Sequence, residues 1–475
     1  MKPDPGLRRR VSFTTLGCKL NQFETDSLAT QFRRAGYEIV EFGHPAEVTI
    51  INSCTVTNRA DRKSRNLLYR ALRSSAAAGG SGPATGSADE RPAGDLARAP
   101  LVVLTGCYVD SHRDELESDE ATYFVSNDQK QSIPALVEGH FRGEVIHPAG
   151  TVFDFPVPDR IFHTRSVIKV QDGCDNFCTF CIIPYVRGRA ASRPWNEVVA
   201  SVREAVAGGA REVVLTGVNM SRYRDADVEF TELVRRCLEI DASPRNADRD
   251  VPDYRLRISS LEPDQLTNEF IDLFAHPRMA PHLHLCLQSA SERMLLAMRR
   301  QYTYAGYERI VRRLRERDPL FNVTTDIIVG FPGEAEEDLE ASLEAISRLC
   351  FGHVHCFPYS VRTGTRAQRM PGHLAAVEKT RRAARVREAA ANTRRTYRES
   401  LIGGEELVLV ERARRETHEL VLHGLGEHYV PVEVRVPTGD TRSAAGPGDG
   451  DHARDDYAPD PARMENTFIH ARIVG

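Results

Sequence analysis

The chain has 475 residues, enough for about three domains, and its 41% hydrophobic and 27% charged content fits a globular protein. No window offers the ~18 consecutive apolar residues of a membrane span, and the basic residues 1–10 lack the apolar stretch of a secretory signal. A net charge of -4 neither demands nor excludes nucleic acid, and ten cysteines are too sparse for a disulfide scaffold, so the expected setting is a reducing cytoplasm.

Residues 11–17 read as a strand ending in Gly17-Cys18, followed by a helix over 22–35. A second strand, 48–53, ends at Cys54, a basic helix spans about 58–73, and a third strand, 101–106, ends at Cys107. Strands alternating with helices imply a parallel sheet, and the loops after its strand C-termini gather along one edge. Cys18, Cys54 and Cys107 each stand just past a strand end, so they are expected to converge as a three-thiolate site. Residues 74–99, rich in Gly, Ala, Ser and Pro, read as a flexible surface insertion.

Residues 166–360 repeat the alternation, with strands expected at 166–171, 212–218, 255–260, 282–288, 322–329 and 352–358 and helices such as 194–207 and 334–349. Six βα units suit an open or partial (β/α)6 barrel better than a closed eight-stranded one. The loop after the first of these strands carries Cys174, Cys178 and Cys181 in a C-x3-C-x2-C spacing. Three thiolates on one loop can hold a cuboidal iron–sulfur cluster while leaving one iron open. A zinc site or a loop of buried thiols is the alternative, although zinc sites more often use paired C-x2-C elements. Later strand ends carry polar or glycine-containing turns at 216–219, 259–263, 287–291 and 326–333, all on the same rim, which favours a ligand site there.

A helix over 371–401 carries eight Lys and Arg residues between positions 377 and 400 against three Glu, so it is either a solvated face or a phosphate contact. Residues 405–475 read as a small all-β unit with a Gly/Asp/Pro-rich insertion at 438–463.

The spacing of Cys174, Cys178 and Cys181 resembles the signature of the radical S-adenosylmethionine (SAM) superfamily. The stretches Thr15-Leu16-Gly17-Cys18-Lys19-Leu20-Asn21-Gln22, Asn52-Ser53-Cys54-Thr55-Val56-Thr57 and Thr105-Gly106-Cys107-Tyr108 look like the N-terminal domain of the methylthiotransferases, and residues 401–475 resemble the TRAM RNA-binding fold. Within that family, Cys18 to Gln22, Arg257 to Pro263 and His282 to Ser289 are most similar to the branch that modifies N6-threonylcarbamoyladenosine in tRNA. Ala290 replaces a usual glycine, and Gly424 to Tyr429 matches the usual barrel motif loosely.

The resemblance implies three domains: 9–150, 160–398 and 401–475. It implies two 4Fe–4S clusters, a radical-generating one on Cys174, Cys178 and Cys181 and an auxiliary one on Cys18, Cys54 and Cys107. It implies SAM as the second cofactor, with Thr216, Gly217, Asn219, Ser259, Glu262 and Gly330 as candidate contacts. One SAM yields a radical that takes hydrogen from C2 of the modified adenine, sulfur arrives by way of the auxiliary cluster, and a second SAM gives the methyl group. The implied partners are tRNA, an electron donor such as flavodoxin or ferredoxin, and a sulfur source. Isopentenyladenosine in tRNA, or a ribosomal protein, is the alternative substrate. Cys237, Cys286, Cys350 and Cys356 are expected as small buried hydrophobes and His284 and His355 as core histidines. Lys19 and Arg187 are either phosphate or SAM ligands or surface charges.

Overall fold

The computed structural model describes residues 9–78, 100–116, 121–159, 164–241, 252–437 and 461–474. Most of the segment expected as an insertion at 74–99, and residues 438–460 of the second, lie outside the described residues.

The N-terminal part is a five-stranded parallel sheet in the order Glu38–Val40, Arg10–Thr15, Val48–Ser53, Leu101–Gly106, Thr122–Val125. Its central strands are apolar runs buried on both faces, the pattern that parallel sheets demand because crossover helices cover them. The first helix, Lys19–Arg34, starts three residues earlier than its periodicity suggests. Gly17 makes the tight turn before it at φ +105, a conformation that favours glycine. The basic helix runs Asn58–Ala78, five residues past its expected end.

The central part contains the six expected βα units. Strands Ser166–Lys169, Glu212–Thr216 and Arg255–Ile258 form one parallel sheet, and Ser260–Leu261, His282–Leu285, Asn322–Val329 and His353–Pro358 form a second. The chain changes sheets at Ser259, whose N–H still bonds Leu215 O at 3.1 Å while Ser260 pairs with His284. That break curves the wall into an open barrel. Among the described residues, no pairing joins the last strand to the first, so the barrel stays open as expected. One continuous core, from Ile168 through Leu285 and Val329 to Val386, fills the space between the strands and their outer helices.

The C-terminal strands Glu405–Arg415, Glu419–Gly426, Pro431–Pro437 and Phe468–Arg472 make an antiparallel sheet, with a register shift between Val410 and Arg412. The end of the expected 438–463 insertion is a short helix, Pro461–Met464.

This sheet is tied to the barrel by two fully buried arginines of one strand. Arg255 donates to Leu407 O at 2.8 Å and Leu425 O at 3.1 Å, and Arg257 to Glu427 O at 3.1 Å. Both guanidinium groups also bind Glu212, at 2.6 and 2.9 Å, which balances part of their charge in the dry interior.

Candidate functional site

The cysteines of the N-terminal sheet stand at three strand ends. Cys18 caps the first helix, Cys54 follows Ser53 directly, and Cys107 opens the helix after Gly106. They meet in space: a Cβ placed on Gly17 would lie 3.2 Å from the Cys54 sulfur, and Cys54 senses the charge of both Cys18 and Cys107. Cys18 is exposed, while Cys54 and Cys107 are buried.

The second triad sits on the loop after Gln171–Asp172, at the barrel's C-terminal rim. Gly173 has φ +67, and a Cβ there would fall 2.0 Å from Arg189 O, so only glycine fits. Phe177, a non-glycine residue, is held at φ +46 within the loop. Thr179 pins the loop by donating to Met298 O and Ala297 O at 3.1 and 3.0 Å and accepting from Ala367 N at 2.8 Å. Cys174, Cys178 and Cys181 sense one another electrostatically.

The two triads are neighbours. Cys107 packs against Ile182 and Val186, the first just after Cys181. Between them lies a buried charge network that sequence reasoning did not see. Glu24 accepts from Lys130 at 2.5 Å, Lys169 at 3.1 Å and Arg187 at 3.1 Å, and Arg187 also binds Asp172 at 3.0 Å and Asn21 at 2.6 Å. Burial alone would raise the Glu24 carboxyl; the three cations outweigh it and hold it well below the usual range. Arg187 is therefore neither a surface charge nor free for a phosphate: its side chain is 1% exposed and fully paired.

Burial is also the main influence on the thiols, pushing Cys54 and Cys181 up to about 12 and raising Cys107 and Cys178. Such groups become thiolates when a metal centre supplies the compensating positive charge. A tetrahedral zinc, with Zn–S near 2.3 Å, brings sulfurs to about 3.8 Å of each other. Among the described residues, the groups whose ligand atoms all lie within 4.8 Å are His284–Asp326–His355 and Glu406–Glu427–His428, and neither includes a cysteine.

The candidate SAM contacts fall into four groups. Thr216, Gly217 and Ser259 line the central cavity, with the Ser259 hydroxyl 3.2 Å from that of Thr216. Asn219 reaches the Cys174 sulfur through Nδ2 at 3.6 Å, and its backbone N–H is fixed by Gln171 at 2.7 Å. Among the described residues its Oδ1 is buried without a partner, an acceptor beside the loop that a bound donor would satisfy. Glu262 pairs with Arg300, which donates to the Cys178 sulfur at 3.1 Å. Arg300 went unnoticed in sequence, where it is one of two adjacent arginines after a helix. Gly330 stands apart, its Cα against the Lys379 stem.

The cavity measures about 780 Å³ and all three parts of the chain line it, from Cys18 and Lys19 through Thr216, Ser260 and Asp326 to Arg398 and Tyr429. His284 and His355 line it rather than filling a core: His284 binds Thr324 at 3.0 Å and Asp326 at 3.3 Å, and His355 is exposed. Cys237 is fully buried as expected, but Cys286, Cys350 and Cys356 are only partly so, and Cys350 lies beyond a helix end at φ +44. The charge run of the long helix Ala376–Ser400 divides. Arg381, Arg382 and Arg385 pair with Glu334, Glu336, Glu340 and Glu378, whereas Arg394 and Arg398 face the cavity mouth.

Residues 168–346 match the radical SAM superfamily model, and residues 10–126 match the family described as uncharacterized protein family UPF0004. The threonylcarbamoyladenosine tRNA methylthiotransferase MtaB of Thermotoga maritima is 33% identical over 431 residues, covering 90% of this chain and 91% of the relative. The chain belongs to the radical-SAM methylthiotransferase family.

Its cofactors are accordingly SAM and 4Fe–4S clusters. MtaB of Bacillus subtilis is also 33% identical, over 89% of both chains. The tRNA-2-methylthio-N(6)-dimethylallyladenosine synthase of Cereibacter sphaeroides is 30% identical over 91% of this methylthiotransferase and 93% of that relative. Among solved structures, the radical SAM methyltransferase TsrM of Kitasatospora setae shares the fold, with a TM-score of 0.50 at 16% identity over 74% of this chain and 75% of that one. Among the described residues, no helix is long and apolar enough to cross a membrane.

Proposed function

We propose that this methylthiotransferase acts on tRNA, adding a methylthio group to C2 of N6-threonylcarbamoyladenosine beside the anticodon. The observation that carries the choice is the ordering of its relatives. Enzymes named for threonylcarbamoyladenosine match at 33–34% identity, and those named for dimethylallyladenosine at 27–30%. Isopentenyladenosine in tRNA, or a ribosomal protein, remains the alternative substrate.

In this reading residues 9–150, 160–398 and 401–475 are three domains. Cys174, Cys178 and Cys181 hold one 4Fe–4S cluster, and Cys18, Cys54 and Cys107 hold the other. When bound, the clusters and SAM supply the electron, the sulfur and the methyl group, which no side chain can provide.

The chain's own residues aim these groups. Glu24, Asp172 and Arg187 lock the two cysteine-bearing edges at a fixed separation. Asn219 offers its unpartnered Oδ1 to a SAM donor beside Cys174, while Arg300 places positive charge on the Cys178 sulfur. The cavity admits a base extruded from an anticodon loop and shields it from water, and Arg394 and Arg398 at its mouth attract the RNA backbone. An electron donor such as flavodoxin or ferredoxin and a sulfur source complete the cycle.

Mass spectrometry of tRNA nucleosides from cells with and without the gene tests this directly. Deletion is expected to abolish 2-methylthio-N6-threonylcarbamoyladenosine and leave its unthiolated precursor; unchanged levels overturn the substrate assignment.

A further inference from the structure

The cavity beside Cys18 is positively charged. Among the described residues its lining holds Lys19, Arg165, Arg394 and Arg398 against a single carboxylate, Asp326, which is already engaged by His284. Arg394 and Arg398 are exposed on the long helix. Lys19 and Arg165 are placed differently. Both lie over one ring, that of Tyr429, at 5.0 and 5.8 Å from its centroid, with Arg257 on the same ring at 4.9 Å.

Their pairing is incomplete. Arg257 and its neighbour Arg255 share Glu212, and Arg165 binds Glu411 at 3.0 Å. Lys19 makes no ion pair among the described residues; it and Arg165 both hydrogen-bond the side chain of Tyr429. A cation–π contact offsets only part of a buried cation's charge. A second observation describes the surface beside them. His282 stacks on Tyr429 at 4.4 Å with 24° between ring planes, so this end of the cavity is a flat aromatic wall crowned by two cations. A flat wall suits a planar group attached to a base, and the cations suit an anion at its far end.

We propose that Lys19, assisted by Arg165, binds the free carboxylate of the amino acid carried on N6 of the adenine, with the planar carbamoyl link lying along Tyr429. This rests on the threonylcarbamoyladenosine reading and assigns the residues that select that substrate over an uncharged dimethylallyl group. A dimethylallyl substituent leaves the Lys19 charge uncompensated, so rejection follows from the same contact.

The test is a binding titration of the reconstituted holoenzyme with three anticodon stem-loops, identical except at N6 of one adenine. They carry threonylcarbamoyl, its uncharged methylamide, or dimethylallyl. All three present the same phosphates, so differences among them report only the substituent. The wild type is expected to bind the free acid about tenfold or more tightly than the methylamide. Lys19→Gln brings that ratio close to one, Lys19→Arg restores most of it, and Arg165→Gln reduces it partially. Retention of the full ratio by Lys19→Gln overturns the subsite, as does a wild type that binds acid and methylamide equally while still methylthiolating the acid. A wild type that prefers and methylthiolates only the dimethylallyl stem-loop sinks the substrate reading itself, and the subsite with it.

Discussion

The guanidinium of Arg300 lies 3.1 Å from the sulfur of Cys178 and is held there by Glu262. A charged donor on a cluster thiolate withdraws electron density and raises the reduction potential. Arg300→Gln is expected to lower the potential of the cluster on that loop, making it harder for an external donor to reduce, and so to slow SAM cleavage about 10- to 100-fold. An EPR-monitored redox titration checks the first effect and 5′-deoxyadenosine release the second. An unchanged potential would assign Arg300 a purely structural role.

Cys18→Ala separates the two triads. The variant is expected to lose about half of its bound iron, from about eight to about four atoms per chain, keep SAM cleavage, and form no methylthiolated product. Anaerobic iron quantitation with product analysis decides it; loss of SAM cleavage as well would show that the sites do not divide the labour.

Glu24 is the common acceptor of three buried cations, and removing it strands them. Glu24→Gln is expected to cost about 3–5 kcal/mol of stability, read by denaturant unfolding of the apoprotein. A loss below about 1 kcal/mol would mean that Asp172 alone suffices for Arg187.

His428 gives a pH dependence. Burial alone would lower its pKa, but hydrogen bonds to Asp318 at 3.1 Å and Glu406 at 2.8 Å prevail and hold it at about 9. The imidazolium is favoured in the folded state, so its contribution is complete below the ordinary value of 6.5 and disappears as pH rises through about 9. That window carries about 3 kcal/mol. Unfolding measured from pH 6 to 10 is expected to show this decline in the wild type and not in His428→Gln.

Gly173→Ala forces a methyl group onto Arg189 O in a left-handed conformation. The expected result is a folded chain with a disordered loop at 174–181, seen as loss of iron from that site with the other retained.

The positions of the strands and of all six triad cysteines were legible because both depend on local pattern: apolar runs of strand length, and cysteines at their ends. The open barrel followed from counting units. Arg187 was not legible, because its partners Glu24, Asp172 and Asn21 are up to 166 residues away and a buried charge looks like a surface one in sequence. Arg300 and the cavity histidines were missed for the same reason. Strand alternation shows which face a side chain takes, but not whether that face meets a core or an open cavity. The charge run of the last long helix could not be divided until the acids of the preceding helix were seen beside its first half.

Tyr429 sits in the turn between the strands Glu419–Gly426 and Pro431–Pro437 yet lines the central cavity, and Arg255 and Arg257 clamp that sheet from beneath. The sheet is thus not an interchangeable RNA handle. Exchanging it for that of a relative would re-sculpt the cavity, so, on the proposed function, a chimera built at residue 401 should change which nucleoside is modified as well as how firmly the RNA is gripped.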